Sequence, residues 1–338
     1  MKLAQKKLTK KKSRFSFTSF PNGWFCVGCS NELKPGEVKP LHYFGKDLVL
    51  FRTESGTPYV FDAYCPHVGA HLGYGGKVKG EGIQCPFHGW CFDSNGKCTD
   101  VPYSNKLPPT AQIGKWSVSE LNGMIMLYYH SQKKPPTWEI PDLSKYIDNE
   151  GVPFRRIKQW KLCTHPQEVC EHSYDIGHIN VHAQASHAKS EDVEFNGPIA
   201  VHRFSTQYRP PIPAAWIIGE QVNLLSEVRS YGLGFSFIIH SLNGKIKGRW
   251  LNIVLATPID EEHSEIHLLF GMPKVFNKLL TRALEALLRK DLERGFELSL
   301  SLLRDKIHRS HVPFCDGDGS IAQFRQWSHQ FYSEDPYK

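Results

Sequence analysis

Residues 65–89 carry two Cys–His pairs of unequal spacing, Cys65-x-His67 and Cys85-x-x-His88, in a stretch with glycine at 69, 73, 75, 76, 80, 82 and 89. Two thiolates on one iron and two neutral imidazoles on the other hold a 2Fe-2S cluster, and replacing thiolate by imidazole raises the reduction potential by removing negative charge. The glycines let backbone N–H groups approach the cluster sulfurs. The competing chemistry is a Cys2His2 zinc site, which uses the same donor types. Zinc modules usually pair two cysteines and then two histidines. Here each loop supplies one of each, and proline follows the cysteine in both (Cys65-Pro66, Cys85-Pro86). The spacing favours the cluster.

A second constellation lies at Asp175-x-x-His178-x-x-x-His182. Two histidines four apart on a helix point from one face. They suit two corners of a 2-His-1-carboxylate Fe(II) site, which leaves positions open beside a substrate. Alone, such a pair is more often an ordinary surface or core feature. The carboxylate is expected on a long helix downstream, where Asp291, Glu293, Glu297 and Asp305 are the candidates. A third pattern, Cys26-Val-Gly-Cys29, falls in a strand-like run and reads as structural.

The elements that must position these residues fall into three regions. Residues 1–20 form a basic, flexible arm, in which the first fifteen residues hold seven Lys/Arg and no acid, whereas the remaining 323 carry 34 basic and 34 acidic side chains. The net charge of +7 is therefore a property of the arm and does not indicate nucleic acid; weak attraction to an anionic membrane surface or to an acidic partner is the sharper role for such a run. Between 21 and 132, short β-rich runs (VKPLHYF, DLVLFRT, PYVFDAY, GMIMLYY) alternate with turn signals and predict a small antiparallel β domain. SQKKPPTWEIPDL connects it to a second domain, 133–338, with helix around 166–182, strands between about 200 and 272, and an amphipathic helix from about 275 to 308. The fold class is α+β. No run of about 18 apolar residues is present. The nine cysteines, an odd number without an export signal, point to metal ligation and free thiols in a reducing, cytoplasmic setting.

CPH-x17-CPFHGW resembles the cluster loops of the Rieske non-haem iron oxygenases. More closely, PNGWF, GEVKPL, FDAYCPHVGAHLGYGGKV, CPFHGWCFDSNGKC, VPYS and PPTWEIP resemble the Neverland-type cholesterol 7-desaturases and the bacterial 3-ketosteroid 9α-hydroxylase oxygenases. The likeness runs from about 21 to 141 and returns at 166–182 and around 305–332. It implies one 2Fe-2S cluster held by Cys65, His67, Cys85 and His88, and one Fe(II) held by His178, His182 and Asp305 in a helix-grip, START-like catalytic domain. The family usually places four residues between the two histidines, and three stand here, so His187 is held as a substitute for His182. Asp305 is favoured because the family's iron-ligating Asp comes shortly before a DG-I-x-x-FRxW-x-x-QFY pattern. The resemblance gives Asp175 a relay role between His88 of one subunit and His178 of the next, in a head-to-tail trimer. It further implies an external ferredoxin or flavin-dependent NAD(P)H reductase, O2, and a sterol- or steroid-like substrate to be hydroxylated, desaturated or demethylated. A small aromatic or alkaloid-type substrate is the alternative. Two other classes stay open, a Rieske electron carrier without its own catalysis and a zinc-stabilised binding protein.

Overall fold

The computed structural model describes every residue except 1–13, 16, 18, 147–153, 183–184, 211, 213, 244–246, 275–276 and 337–338. The first ten strands are β1 (Gly23–Cys29), β2 (Val38–Tyr43), β3 (Lys46–Arg52), β4 (Pro58–Asp62), β5 (Lys77–Lys79), β6 (Gly82–Gln84), β7 (Cys91–Phe92), β8 (Cys98–Asp100), β9 (Ser117–Leu121) and β10 (Met124–Tyr129). They make three antiparallel sheets, β1-β10-β9, β2-β3-β4 and β5-β6-β7-β8. The cluster-type loops hang from the last of these, 65–70 leading toward β5 and 85–90 joining β6 to β7.

The run Met124-Ile-Met-Leu-Tyr-Tyr129 is apolar throughout because both faces of β10 are buried. Side chains alternate between faces of a strand. Ile125, Leu127 and Tyr129 pack with Phe25, Val27 and Leu48 in the β domain. Met124, Met126 and Tyr128 pack with Phe235, Phe237, Leu251 and Ile253 of the second domain. The seam is also hydrogen-bonded: Trp24 Nε1 donates to the Trp138 carbonyl at 2.8 Å and Thr257 Oγ1 to the Cys26 carbonyl at 2.7 Å.

The second domain is one seven-stranded antiparallel sheet crossed by a long helix. Its strands are β11 (Arg155–Cys163), β12 (Ala185–Asn196), β13 (Ile199–Tyr208), β14 (Val222–Tyr231), β15 (Phe235–Asn243), β16 (Lys247–Pro258) and β17 (His263–Gly271), in the order β11-β17-β16-β15-β14-β13-β12. The helical stretch after β11 is broken into α1 (Pro166–Glu171), a 3-10 turn and α2 (Ile176–His182). It breaks because Asp175 leaves the helical region (φ −90°, ψ 87°) and its Oδ1 accepts the His178 backbone N–H at 2.8 Å, starting a new helix. α3 (Ala214–Ile218) follows β13 and α5 (Ile321–Ser328) closes the chain. The long helix α4 spans Lys278–Asp305, N-capped by the Asn277 side chain. Leu284 and Leu288 seat its first half on Leu224, Trp250 and Phe270. Leu300 and Leu303 seat its end on Val169, Ala256 and Ile266.

The arm expected to run free to residue 20 is docked at Arg14, Phe15 and Phe17. The Arg14 carbonyl accepts the His308 N–H, Phe15 is buried, and Phe17 stacks on His165 with ring centroids 3.9 Å apart. The basic residues before it lie outside the described residues.

Gly234 is the tightest point of the seam, since a Cβ there would lie 2.4 Å from both the Trp24 carbonyl oxygen and Phe25 Cδ1. Gly234→Ala is expected to destabilise the protein by about 1–3 kcal/mol by forcing the two domains apart, read as a lowered thermal unfolding midpoint. An unchanged midpoint would show that the seam yields without cost.

Candidate functional site

The two cluster-type loops have the same backbone. Cys65 N–H donates to the Ala70 carbonyl and Gly69 N–H to the Cys65 carbonyl; Cys85 N–H donates to Trp90 and Gly89 N–H to Cys85 in the same pattern. Gly69 and Gly89 sit at φ +81° and +75°, a region open to glycine at little steric cost. Facing each other, the loops bring the two cysteines together and place the His67 and His88 ring centroids 4.7 Å apart. Burial pushes the Cys65 thiol up to about 11, offset in part by a backbone hydrogen bond at His67 and reinforced by Cys85 alongside. His88 Nδ1 is buried without a hydrogen-bond partner. A buried pair of thiols beside an orphaned imidazole nitrogen fits a positively charged metal group that supplies the missing interactions. Among the described residues no three His, Cys, Asp or Glu side chains could hold one metal ion together. Two cysteines and two histidines set as separate pairs suit a two-iron cluster and not a single zinc ion. Trp90 positions this pair, its ring stacking on His67 at 4.3 Å while its Nε1 donates to Tyr103 Oη at 2.7 Å.

In the second domain α4 roofs a cavity of about 280 Å³ over the sheet. Its walls are mainly apolar, with Phe204, Leu224, Val228, Leu268 and Leu292 among them. His178 and His172 stand at one end with ring centroids 4.0 Å apart. Ser299 of α4 reaches the same place, its Oγ 3.4 Å from His178 Nε2. A polar group crosses the sheet wall: His240 lies between Ser226 Oγ and Asn252 Nδ2, 2.9 Å from each, and stacks on Trp250. Burial holds the His240 imidazole down at about 4, so it is neutral at physiological pH.

The profile of the Rieske [2Fe-2S] domain matches residues 23–112, and that of the 3-ketosteroid 9α-hydroxylase C-terminal domain matches 127–332. The chain is a Rieske oxygenase. It is 31% identical to cholesterol 7-desaturase nvd 1 of Ciona intestinalis, covering 93% of this chain and 69% of that one. Against a 3-ketosteroid-9-alpha-monooxygenase oxygenase component of Rhodococcus rhodochrous it is 30% identical, covering 93% and 83%. In fold it matches dicamba monooxygenase bound to 3,6-dichlorosalicylic acid (TM-score 0.73, 15% identity, 92% of this chain and 97% of that one). It also matches caffeine-bound NdmA of Pseudomonas putida (TM-score 0.66, 18% identity, 90% and 89%). The Rieske domain implies a 2Fe-2S cluster, and oxygenases of this family use a mononuclear iron at the catalytic site.

For this Rieske oxygenase the cluster residues Cys65, His67, Cys85 and His88 are brought together, and they fit the group. The second metal's expected residues are not assembled in the same way. His178 faces the cavity, while His182 ends α2 and His187 lies on β12, with neither side chain among those described. Asp305 is a correction. It is exposed at the last turn of α4, bonded to Arg304 at 3.0 Å, and does not line the cavity. It follows Ser299 by six residues, which on an α-helix is about 9 Å along the axis and on another face. Asp291 does line the cavity but accepts Tyr208 Oη and Arg294 at 2.9 Å each, and Glu293 and Glu297 both bind Lys158. The described donors therefore do not make a 2-His-1-carboxylate set. Asp175 touches His178 through the backbone, capping α2, and stands half-buried. Cys26 and Cys29 are buried in β1, the Cys26 thiol pushed up by burial, as befits a structural pair.

Sequence reasoning missed Trp90, Tyr103, His172, Ser299 and the Ser226–His240–Asn252 group. Ser299 could have been found, because it interrupts an apolar stripe three residues after Phe296.

Two outcomes follow. His67→Cys or His88→Cys lowers the cluster's reduction potential while the cluster stays bound, since an anionic thiolate replaces a neutral imidazole; redox titration followed by EPR measures it. His240→Asn changes the pH dependence of stability. The folded His240 pKa of about 4 lies below the ordinary value of 6.5, so between these values the unfolded chain binds the extra proton and stability falls as pH falls. The wild type is expected to lose about 2 kcal/mol more than His240→Asn between pH 7 and pH 5, read from denaturant unfolding at both pH values. Equal losses would place the imidazole in solvent.

Proposed function

We propose that this chain performs an O2-dependent oxidation of an apolar, sterol- or steroid-sized substrate bound under α4, using electrons delivered to the Rieske cluster by a ferredoxin or flavin-dependent reductase. The observation that carries the reading is the apolar cavity with His178 at one end, in a chain whose Rieske and catalytic domains are those of steroid- and sterol-acting relatives. The metal chemistry supplies oxygen activation. The chain's own part is to hold the substrate and keep water out: Phe204, Leu224 and Val228 exclude solvent, and His172 and His178 mark the reacting end. The Asn252 Oδ1 is buried without a partner and offers a polar group of the substrate a place to bind. A bare aromatic ring would use less of the wall. Incubating the reduced enzyme with sterols, ketosteroids and small aromatics, and identifying the products, tests the assignment; turnover of small aromatics alone would overturn it.

The loops that would hold the cluster carry an apolar surface. Tyr64, Val68, Phe87 and Tyr103 around His67 and His88 are each more than half exposed. Such a patch is suited to docking against another protein. We place a neighbouring subunit there, in a head-to-tail ring of three, with its Asp175 beside His88 and the electrons passing to its His178. A cytoplasmic setting suits the unpaired thiols, none of which is bonded to another. No described helix is long and apolar enough to cross a membrane. Asp175→Asn is expected to lower turnover about 10–100-fold with the cluster retained. Mixed assemblies of Cys85→Ser and His178→Ala chains, each inactive alone, should regain partial activity. No recovery in verified mixed rings would confine electron transfer to single chains.

A further inference from the structure

The position on α4 that faces His178 is held by a serine. Ser299 Oγ stands 3.4 Å from His178 Nε2, and the described acids of α1, of the α4 half under the cavity and at the start of α2 are committed elsewhere. Asp175 caps α2, Asp291 binds Tyr208 and Arg294, and Glu293 and Glu297 bind Lys158. Glu168 and Glu171 bind His308, Lys306 and Arg325, and Asp305 binds Arg304. The pocket-facing residues of α4 are fixed in rotation by Leu288 before and Leu300 and Leu303 after, so beyond Asp291, which lines the cavity but is held by Tyr208 and Arg294, no acid of the helix can turn in without unseating it. A divalent cation bound by neutral imidazoles alone keeps its full double charge, and the neutral hydroxyl of serine removes none of it. The side chain of serine is shorter than that of aspartate, and its hydroxyl can donate a hydrogen bond as well as accept one.

We infer that the described residues bring no carboxylate to this chain's mononuclear metal site: Ser299 holds the α4 position that faces His178, so an ion bound at His178 would take its anionic ligand, a small monovalent anion, from solution. The inference deepens the proposed function and rests on it, because it concerns the same cavity and the same metal.

The test uses full-length protein with its cluster loaded, and reads metal binding instead of turnover. Cobalt(II), a coloured stand-in for iron(II), is titrated anaerobically in perchlorate, a weakly coordinating anion, and again with added chloride or formate. The expected result is weak binding in perchlorate, tightened at least tenfold by chloride or formate with a change in the cobalt visible bands. Ser299→Asp should bind tightly in perchlorate and lose the anion dependence, while Asp305→Ala should behave as wild type. Tight binding by the wild type in perchlorate, unmoved by either anion, would overturn the inference, as would loss of the metal in Asp305→Ala or no binding under any anion. The wild-type anion series decides the matter even where Ser299→Asp fails to fold. A chain that takes up no cluster, shown by absence of the reduced-cluster EPR signal, would instead overturn the oxygenase reading, and the two failures are told apart.

Discussion

The ribbon β1–β10 is apolar on both faces, and everything else is placed relative to it. One face closes the β domain that carries the cluster loops; the other is the floor on which β15 and β16 of the catalytic sheet rest. A strand buried on one side would leave two domains joined by a linker and free to swing. Here Trp24, Tyr128 and Trp138 interlock across the seam, with Trp24 and Tyr128 edge to face at 5.2 Å. For electron transfer the consequence is direct, since the cluster's orientation is built into the core and does not depend on a closing motion.

The catalytic cavity follows from the same economy of contact. Helix α4 touches the sheet through leucines near each end, and in between Leu292 and Phe296 line the cavity together with the smaller Gly295 and Ser299. Close packing along its whole length would have filled the space. Holding the helix at two points leaves the cavity under its middle, with His178 delivered from α2 at one end.

The parts of this arrangement legible in the sequence are those set by local chemistry. The Cys–His loops could be read because ligand spacing, proline and glycine lie within single turns, and the structure gives both loops the same hydrogen-bond pattern. The α+β class and the long helix, expected at 275–308 and observed at 278–305, could be read from periodicity. The third metal ligand could not be read by proximity to a closing motif, because what reaches the cavity is decided by helix phase. From Phe296, Ser299 is turned by about 60° and Asp305 by about 180°. Phase counted along the stripe would have preferred the serine. His172, Tyr103 and the Ser226–His240–Asn252 group depend on contacts between distant segments, and no local pattern carries them.

The direction of Asp305 is itself fixed by a buried ionic group just beyond it. Lys306 Nζ reaches Glu168 Oε2 at 2.6 Å, His308 Nδ1 reaches Glu168 Oε1 at 2.5 Å, and Arg325 binds Glu171 at 2.7 Å, tying α1 to α5 and to the chain that leaves α4. Burial alone would raise the Glu168 pKa, but His308 and Lys306 outweigh it and hold the carboxyl at about 2. Removing one partner from such a group costs about 3–5 kcal/mol, because the charge left behind is buried and uncompensated. Lys306 must therefore point inward, and the helix ends there, with its N–H on the Leu303 carbonyl. Its neighbour in sequence is left to solvent and to Arg304. Rotating Asp305 toward His178 would unwind the last turn and withdraw Lys306 from Glu168 together, a penalty larger than one additional metal–ligand contact at the rim of the cavity is placed to offset.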